Sequence, residues 1–309
     1  MGAEISYGKA QVPMYRTYAR EMSKLRHVPE SAFQGRKNIL FGVEVDVEVF
    51  GDNFMPAYTY GDNSNVVATD TMKNFILRQG LIYNGTTIEG FLYFLGTQFF
   101  MTYPQMHRLR LTGREQPFDA VSVPGDTGEQ SSESEVLFSR SHGSHAYAML
   151  EMERAEGGVQ ITGHRCGHLG LQLIKVTGSA FAQFVRDEYT TLPERIDRPL
   201  FIYFDVYWKY IDPAYMVSPD LSTYVAAEQV RDVVQVVFHR FVSMSIQHLV
   251  QEMGNTLLAR FPEASEVSFE AQNRLWDLAL TSEEDEKVKV YTDPRPPFGL
   301  IRLTLSRES

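Results

Sequence analysis

A hydroxyl and a carboxylate stand together at Thr69 and Asp70, where a polar run gives way to a helical pattern. The N–H groups in the first turn of a helix have no partner inside the helix, so a hydroxyl placed there can hold an anion or pass on a proton. The same residue types also simply cap helices, and spacing does not separate the two possibilities. The pair is therefore a candidate for proton transfer or anion binding, with a capped helix as the alternative.

A second grouping, His164-Arg165-Cys166-Gly167-His168, contains the residue types that bind zinc. In an extended strand His164, Cys166 and His168 share one face, with steps of about 6 to 7 Å between them. That spacing is too wide for a compact tetrahedral site unless the strand bends. We expect no metal here, and zinc stays as the alternative.

The elements that position Thr69 follow from the periodicity of apolar residues. From Asp62 to Arg78 a polar entry turn leads into an amphipathic helix with an apolar stripe on one side. Thr86, with Glu89 three residues later, predicts a capping box at the start of a second helix. The stripes consist of Val67, Thr71, Phe75 and Arg78 beside Met72, Ile76 and Gln79 in the first helix, and of Ile88, Phe91, Leu92, Leu95 and Phe99 in the second.

Strand patterns flank these helices and recur in the second half of the chain. Between Leu40 and Phe50 valines alternate with acidic residues, so the valines face a core and the acids face water. Both halves read ββααββ, and Glu156-Gly157-Gly158 interrupts the pattern between them. The fold class is therefore α+β, with antiparallel sheets covered by helices. The other predicted strands are 5–21, 107–112, 135–154, 160–176, 200–210, 266–280 and 287–305, with a loop at 125–134 and helices at 224–241 and 244–261.

Five short strings resemble the signature sequences of urate oxidases (uricases). They occur in the order and with the approximate spacing of that family, from residue 7 to the region of Gly299-Leu300-Ile301. Each string alone is weak, but together they identify the chain as similar to this family. The strings are Tyr7-Gly8-Lys9, DNSNVVATD followed by TMKNFI from Asp62, FVRDEYTTLPE from Phe184, Ser245-Ile246-Gln247 and Gln272-Asn273.

The resemblance implies a tandem tunnelling fold (T-fold). It would consist of two ββααββ domains, which we expect at residues 1–155 and 156–309. In the family, the sheets of two subunits close into a β-barrel, and two barrels stack as a homotetramer. Closure hides strand edges that would otherwise be exposed, which gives oligomerisation a physical motive.

The resemblance also implies a reaction. Urate is a planar, acidic purine, and its oxidation by O2 requires removal of a second proton, so that an electron-rich dianion can pass an electron to oxygen. The family needs no cofactor and no metal for this step. By resemblance Lys9 is the base, acting through the hydroxyl of Thr69, and Asp70 lies beside the substrate. A lysine accepts a proton only when neutral, so we expect Lys9 to be shielded from water.

A flat anion with carbonyl and N–H edges suits a stacking ring, a planar guanidinium and an amide. The resemblance assigns these roles to Phe181, Arg198 and Gln247, together with the backbone of Ile246, and places Asn273 where O2 or water lies above the ring. In the family Lys9 and Thr69 come from the subunit opposite the other residues. Each residue also has an ordinary alternative: a core position for Phe181, an ion pair with Asp197 or Glu194 for Arg198, and local caps for Gln247 and Asn273.

One departure from the family concerns the proton relay. Uricases commonly have a histidine just beyond the position of Asn273, whereas Arg274-Leu275-Trp276 stands here. His27 and His248 are close to motifs in sequence, but neither can be assigned to the relay. The third member of the relay is therefore open.

Composition limits the function classes without choosing among them. The 309 residues are 43% hydrophobic and 12% aromatic, enough for two packed domains, and the formal charge of −10 disfavours a nucleic-acid partner. The single cysteine, Cys166, excludes an internal disulfide, and no run of about 20 apolar residues suggests a membrane helix. We expect a cytoplasmic, bacterial protein, since no signal peptide is evident and the chain does not end in the peroxisomal Ser-Lys-Leu.

Two other functions fit parts of the sequence. T-folds also carry zinc-dependent pterin enzymes, which would use the histidines and cysteine of the 164–168 grouping. The chain could instead bind purines without catalysis, since the missing histidine weakens turnover more than binding. Lys9 and Thr69 favour the oxidase.

Overall fold

The computed structural model describes residues 4–124, 131–141 and 143–307, which form strands and helices over most of their length. The strands are β1 (Ser6–Thr17), β2 (Leu40–Phe50), β3 (Arg108–Glu115), β4 (Phe118–Pro124), β5 (Ser131–Arg140), β6 (His145–Ala155), β7 (Gly158–Lys175), β8 (Leu200–Tyr210), β9 (Ala264–Asn273), β10 (Asp277–Thr281), β11 (Lys289–Thr292) and β12 (Gly299–Ser306). The helices are α1 (Met55–Thr59), α2 (Thr69–Ile82), α3 (Ile88–Thr102), α4 (Ala214–Val217), α5 (Ala227–Arg240) and α6 (Ile246–Arg260).

The chain divides into two compact units that interleave in sequence. Unit 1 contains Met1–His27, Gln34–Gly167 and Tyr210–Tyr224, and unit 2 contains Val28–Phe33, His168–Lys209 and Val225–Ser309. In unit 1 the neighbouring strands are β1-β2-β3-β6-β7, and in unit 2 they are β7-β8-β9-β12. The pairs β1/β2, β2/β3, β3/β6 and β9/β12 are antiparallel. The predicted mixture of antiparallel sheets and helices is confirmed, whereas a division at residue 155 stays a prediction.

Strand β2 has the predicted bounds and the predicted alternation. Its four valines, at positions 43, 45, 47 and 49, are at most 2% exposed. The acidic residues on the opposite face are half-buried rather than fully solvated, because arginines of β3 cover them. Arg114 Nη1 lies 2.8 Å from Asp46 Oδ2, and Arg110 Nη1 lies 3.2 Å from Glu48 Oε2. On the face of this sheet opposite the valines, the acidic residues of β2 thus form ion pairs with the arginines of β3.

Helix α2 packs on β1, and its predicted inner row is confirmed, since Met72, Ile76 and Gln79 are buried. Its start differs from the prediction. The residue before the helix is Ala68, which has no side-chain cap, and Thr69 is the first helical residue. Thr69 therefore is not a cap, and its exposed hydroxyl is available for other contacts.

Helix α3 packs on β3 and β6, and the residue that caps it is one position later than predicted. Thr87, not Thr86, accepts the N–H of Gly90 at 3.1 Å. Because Thr87 is the cap, Glu89 is the second residue of the helix and not the third, which is the position that a capping box requires. The hydroxyl of Tyr224 donates to the Glu89 carboxylate at 2.9 Å. The predicted capping box is therefore wrong, although the helix is right.

The predicted strand 135–154 is two strands, because β5 ends at Arg140 and β6 begins at His145. β5 pairs with β4, which the sequence reading did not predict, in a separate hairpin. Serine and glycine at 141, 143 and 144 are turn-forming residues that explain the break. Of the predicted loop 125–134, residues 125–130 lie outside the described residues, and 131–134 belong to β5.

The second unit repeats the arrangement of the first. α5 and α6 have 14 and 15 residues, as do α2 and α3. α6 packs on β9 and β12, as α3 packs on β3 and β6, and each unit inserts one hairpin, β4/β5 or β10/β11, between its third and fourth sheet strands. Among the described helices, none is long and apolar enough to cross a membrane.

The packing of α2 makes a testable prediction. Ile76 is fully buried and Leu81 is 76% exposed in the same helix. We expect Ile76→Ala to lower the free energy of unfolding by about 2–5 kcal/mol, because it leaves a cavity. Leu81→Ala is the control and should change it by no more than about 0.5 kcal/mol. Urea unfolding measures both, and equal losses would contradict the assignment of the inner face.

Candidate functional site

Lys9 lies in β1 opposite Val47, on the face of the sheet that carries α2. Its side chain is half-buried. The hydrogen bond and charge of Lys73 hold the pKa of Asp70 below its usual range, with smaller contributions from the hydrogen bond of Asn74 and the positive charge of Lys9. The lysine and the first turn of α2 are thus electrostatic neighbours.

The residues before Lys9 explain the Tyr-Gly-Lys string. The hydroxyl of Tyr7 accepts the N–H of Val67 at 3.1 Å, which ties β1 to the turn that leads into Thr69. A Cβ at Gly8 would lie 1.9 Å from the carbonyl oxygen of Val47, so only glycine lets the two strands approach so closely. In the sequence Tyr7 and Gly8 served only as markers of the family, and these structural roles were not predicted. A tyrosine two residues before the lysine, on the same strand face, was the available signal.

Thr69 and Asp70 are both exposed at the start of α2. The Asp70 carboxylate accepts from Lys73 Nζ at 2.6 Å and from Asn74 Nδ2 at 3.1 Å. Asp70 is therefore engaged within its own helix, and the Thr69 hydroxyl is the group in this turn that suits proton transfer. Unit 1 brings together Lys9, Thr69 and Asp70 from the predicted set.

Unit 2 holds the predicted recognition residues. Phe181 pairs with Arg195 through two backbone hydrogen bonds of 2.8 and 2.9 Å, and the N–H of Arg198 donates to the carbonyl of Ser179 at 2.9 Å. These bonds bring the guanidinium carbon of Arg198 to 5.4 Å from the centre of the Phe181 ring. Phe184 stacks on Phe181 with a ring separation of 5.0 Å and fixes the orientation of the ring.

Arg198 has no carboxylate partner among the described residues. Asp197 accepts instead from Thr177 and from the N–H of Gly178, and Glu194 accepts from the N–H of Gln183. The ion pairs considered for Arg198 from the sequence are therefore wrong. Its Nε is buried without a hydrogen-bond partner, and desolvation lowers the pKa of the guanidinium. A desolvated, unpaired cation beside an aromatic ring suits a flat anion.

Ile246 and Gln247 open α6 close to this segment. The N–H of Ala180 donates to the carbonyl of Ser243 at 2.8 Å, which joins the chain before Phe181 to the chain before α6. Ser245 caps α6 by accepting the N–H of His248, so Gln247 is not the cap. Ile246 is buried, whereas the side chain of Gln247 is exposed and available to a ligand.

Asn273 ends β9 opposite Gly299, and its Oδ1 is buried without a hydrogen-bond partner in the described part of the chain. Arg274, which stands near the family's histidine position, is turned to other contacts. Its Nε and Nη2 lie 3.0 and 2.6 Å from Gln272 Oε1, and its guanidinium carbon lies 3.7 Å from the centre of the Phe298 ring. Arg274 thus has a packing role that the sequence reading did not foresee.

The zinc alternative is not supported by the side chains. His164 Nε2 accepts the N–H of Tyr210 at 2.8 Å, and the buried Cys166 lies 3.8 Å from the sulfur of Met216. Burial also raises the pKa of the Cys166 thiol, which disfavours the thiolate that zinc requires. Across the described ranges, no three histidine, cysteine, aspartate or glutamate side chains are grouped so that they could hold a metal ion.

The described structure therefore offers two half-sites. Unit 1 provides an amine and a hydroxyl that can move a proton, and unit 2 provides a ring, a guanidinium and two amides that can bind a planar anion. We call these the proton half-site and the recognition half-site. Neither alone both holds an anion and removes its proton.

Comparison with known proteins assigns a family to this arrangement. The family model described as Uricase matches residues 5–144 and 164–302. A uricase of Haloferax volcanii is 43% identical over 303 residues, which cover 98% of both chains. The uric acid degradation bifunctional protein of Bacillus subtilis is 44% identical over 308 residues, and the chain spans 62% of its length. The chain also spans 60% of the length of the uric acid degradation bifunctional protein of Bacillus sp. TB-90.

Solved structures agree with these matches. A crystal structure of the Bacillus sp. TB-90 urate oxidase superposes with a TM-score of 0.95 at 44% identity, covering 98% of this chain and all of that chain. A uricase structure from Bacillus fastidious superposes with a TM-score of 0.94 at 40% identity.

The unpaired state of Arg198 makes a prediction about stability without ligand. We expect Arg198→Gln to leave the free energy of unfolding unchanged or to raise it by up to about 1 kcal/mol, because a desolvated charge is removed. Arg260, which lies 2.7 Å from the nearly buried Glu30, is the matched control. Arg260→Gln should lower the free energy of unfolding by leaving that carboxylate unpaired. Urea unfolding measures the free energy of unfolding of both variants. A clear decrease for Arg198→Gln would show that Arg198 has a structural role.

Proposed function

Because the chain belongs to the uricase family, we propose that it oxidises urate with O2 and water to 5-hydroxyisourate and hydrogen peroxide. The observation that carries this proposal is the desolvated guanidinium of Arg198, unpaired within the described chain and 5.4 Å from the Phe181 ring. Urate is a flat anion, so it supplies the charge that Arg198 lacks and a surface for the ring. Gln247 and Asn273 add amide groups for its carbonyl and N–H edges.

In the proposed reaction the recognition half-site holds urate and the proton half-site removes its proton. The Thr69 hydroxyl gives its proton to the Lys9 amine while it takes one from urate, so Thr69 is restored. The resulting dianion gives two electrons to O2, and water adds to the oxidised ring. Lys9 returns its proton to the reduced oxygen, solvent supplies the second, and hydrogen peroxide leaves. One urate, one O2 and one water thus balance the two products. The chain's residues supply binding and proton transfer, and no cofactor takes part.

We further propose that each site is completed by a second copy of the chain. The two half-sites lie in different units, and β1 and β12 are the end strands of the two unit sheets. Tyr18, which follows β1, is 78% exposed, and Leu300 in β12 is 63% exposed. Head-to-tail pairing of such edges would close a tandem T-fold barrel and cover these side chains, and two barrels would form the homotetramer. We expect the protein to lie in the cytoplasm.

The test of the proposed function is direct. Purified protein mixed with urate in air should remove the urate absorption band and release hydrogen peroxide, equally with and without EDTA. Urate loss that EDTA abolishes would favour a metal enzyme, and binding without urate loss would favour a purine-binding protein. Either result would overturn the proposal.

The proton half-site makes a kinetic prediction. Lys9→Met and Thr69→Ala should each lower kcat by about 10²-fold or more, with little change in urate binding, since both act on proton removal. The double variant should be little worse than the worse single variant, because the two groups act as one unit. Lys37→Met, at an exposed lysine paired with Glu135, is the control and should keep its kcat. Additive losses would break the link between Lys9 and Thr69.

The shared site makes a prediction about mixtures. Thr69→Ala and Arg198→Ala subunits should each be inactive alone. After unfolding and refolding together, the mixture should regain activity, because half of the sites in a mixed dimer combine an intact proton half-site with an intact recognition half-site. Each variant refolded alone is the control. No recovery after verified subunit exchange would show that one chain builds the whole site.

A further inference from the structure

Strand β1 contains one extra residue directly after Lys9. The register pairs Lys9 with Val47 but Val12 with Val45, so residues 10 and 11 together oppose one position of β2. Such a β-bulge changes which face of the sheet the following side chains take. Gln11 accommodates it with a φ of 56°, a left-handed conformation that is strained for a residue with a Cβ.

The bulge decides which face Lys9 takes. On one side of it, Val12 and Met14 are buried, and Met14 lies against Gly80 of α2. Counting back from Val12 by twos along a regular strand would place Ala10 and Gly8 on this face and Lys9 on the opposite, wet face. With the extra residue, Lys9 joins Val12 on the face that carries α2. Lys9 therefore takes the face of its neighbour α2 because the bulge is present.

A carboxylate on the neighbouring strand holds the bulge. Asp46 Oδ1 accepts the N–H of Gln11 at 2.7 Å, and its Oδ2 accepts from Arg114 Nη1 at 2.8 Å. Since Val45 and Val47 face the core, the side chain of Asp46 lies on the opposite face, away from the proton half-site. It can influence Lys9 only through the backbone.

Unit 2 contains a similar backbone-to-aspartate bond, without a lysine beside it. The N–H of Gly170 in β7 donates to Asp205 Oδ1 at 2.7 Å, and both bonds join residues 35 positions apart. Gly170 has a φ of 75°, so glycine stands where unit 1 has the strained Gln11. Asp205 occupies in β8 the place that Asp46 occupies in β2. Unit 2 therefore provides a matched comparison within one chain.

From this geometry we infer that Asp46 is a positioning residue for the reaction. Its carboxylate pins the bulge at Gln11 and thereby keeps the Lys9 amine on the face of β1 that meets Thr69. Arg114 in turn fixes the carboxylate. The inference rests on the proposed function for its kinetic consequence, whereas the position of Lys9 can be measured independently.

The kinetic test compares Asp46→Ala with Asp205→Ala. Asp46→Ala should lower kcat by about tenfold or more, because displacement of a reacting group by about 1 Å costs up to about 10²-fold, and should leave the KM for urate nearly unchanged. Asp205→Ala loses the same kind of bond and should retain its kcat even where its melting temperature falls as far. Asp46→Asn keeps an oxygen acceptor for the Gln11 N–H and should stay near the wild type. Equal effects of the two alanine variants on kcat would overturn the inference.

Two further measurements keep the test decisive. Gln11→Gly combined with Asp46→Ala removes the strain at the bulge, so it should fold readily and recover part of the lost kcat; full wild-type kcat would show that the pin is dispensable. Labelling of Lys9 with acetic anhydride, quantified by mass spectrometry, should be faster in Asp46→Ala than in the wild type or Asp205→Ala. Unchanged labelling would overturn the inference even if the wild-type protein did not oxidise urate. Failure of the wild type to consume urate would instead overturn the proposed function.

Discussion

A strand can present a side chain to the helix layer only at every second position, and the proton half-site depends on this constraint. Lys9, Val12 and Met14 all lie on the face of β1 that carries α2, although Lys9 is three positions before Val12. The extra residue of the β-bulge between them places Lys9 on the same face. The Tyr7 hydroxyl then holds the approach to Thr69 against the same strand. Backbone geometry, rather than contacts of the amine itself, sets the place where proton transfer is proposed.

The recognition half-site contains buried polar groups that lower the stability of the ligand-free chain. Arg198 Nε and Asn273 Oδ1 are both buried without hydrogen-bond partners among the described residues. Each such group reduces the stability of the ligand-free chain, and each recovers its interaction when a ligand supplies the missing partner. The neighbouring carboxylate of Asp197 is occupied by Thr177 and Gly178, so it does not neutralise the guanidinium. The local hydrogen bonds thus keep the cation available for a ligand.

The sequence predicted elements whose periodicity is strong and local. Strand β2 has the predicted bounds, and the apolar stripe of α3 and the row of Met72, Ile76 and Gln79 in α2 are buried as expected. In the other row predicted for α2, Thr71 and Arg78 are exposed. The start of α3 was predicted one residue too early, because Thr86 and Thr87 are equally suitable capping residues and the local sequence does not distinguish them. The β4/β5 hairpin was missed, because its exposed strands show no consistent alternation of apolar and polar residues.

The site was predicted less completely than the fold. Motif resemblance suggested the residues of the candidate site, but it could not foresee that Asp197 and Glu194 accept from other groups and leave Arg198 without a carboxylate partner among the described residues. The bulge at Gln11 was also hidden, because a non-glycine residue carries no local sign of a left-handed conformation. The position of Arg274 against Phe298 depends on a contact distant in sequence, which spacing cannot show.

The left-handed residues Gln11 and Gly170 each donate their N–H to an aspartate of the following sheet strand. Both units contain this bond, but only the first has a lysine two residues before it. The bond therefore does not depend on the lysine, since it forms in the second unit without one. A kink of this kind increases strand twist, which a curving sheet needs in any case. The bond thus serves the curvature of each sheet, and the first unit alone combines it with a lysine.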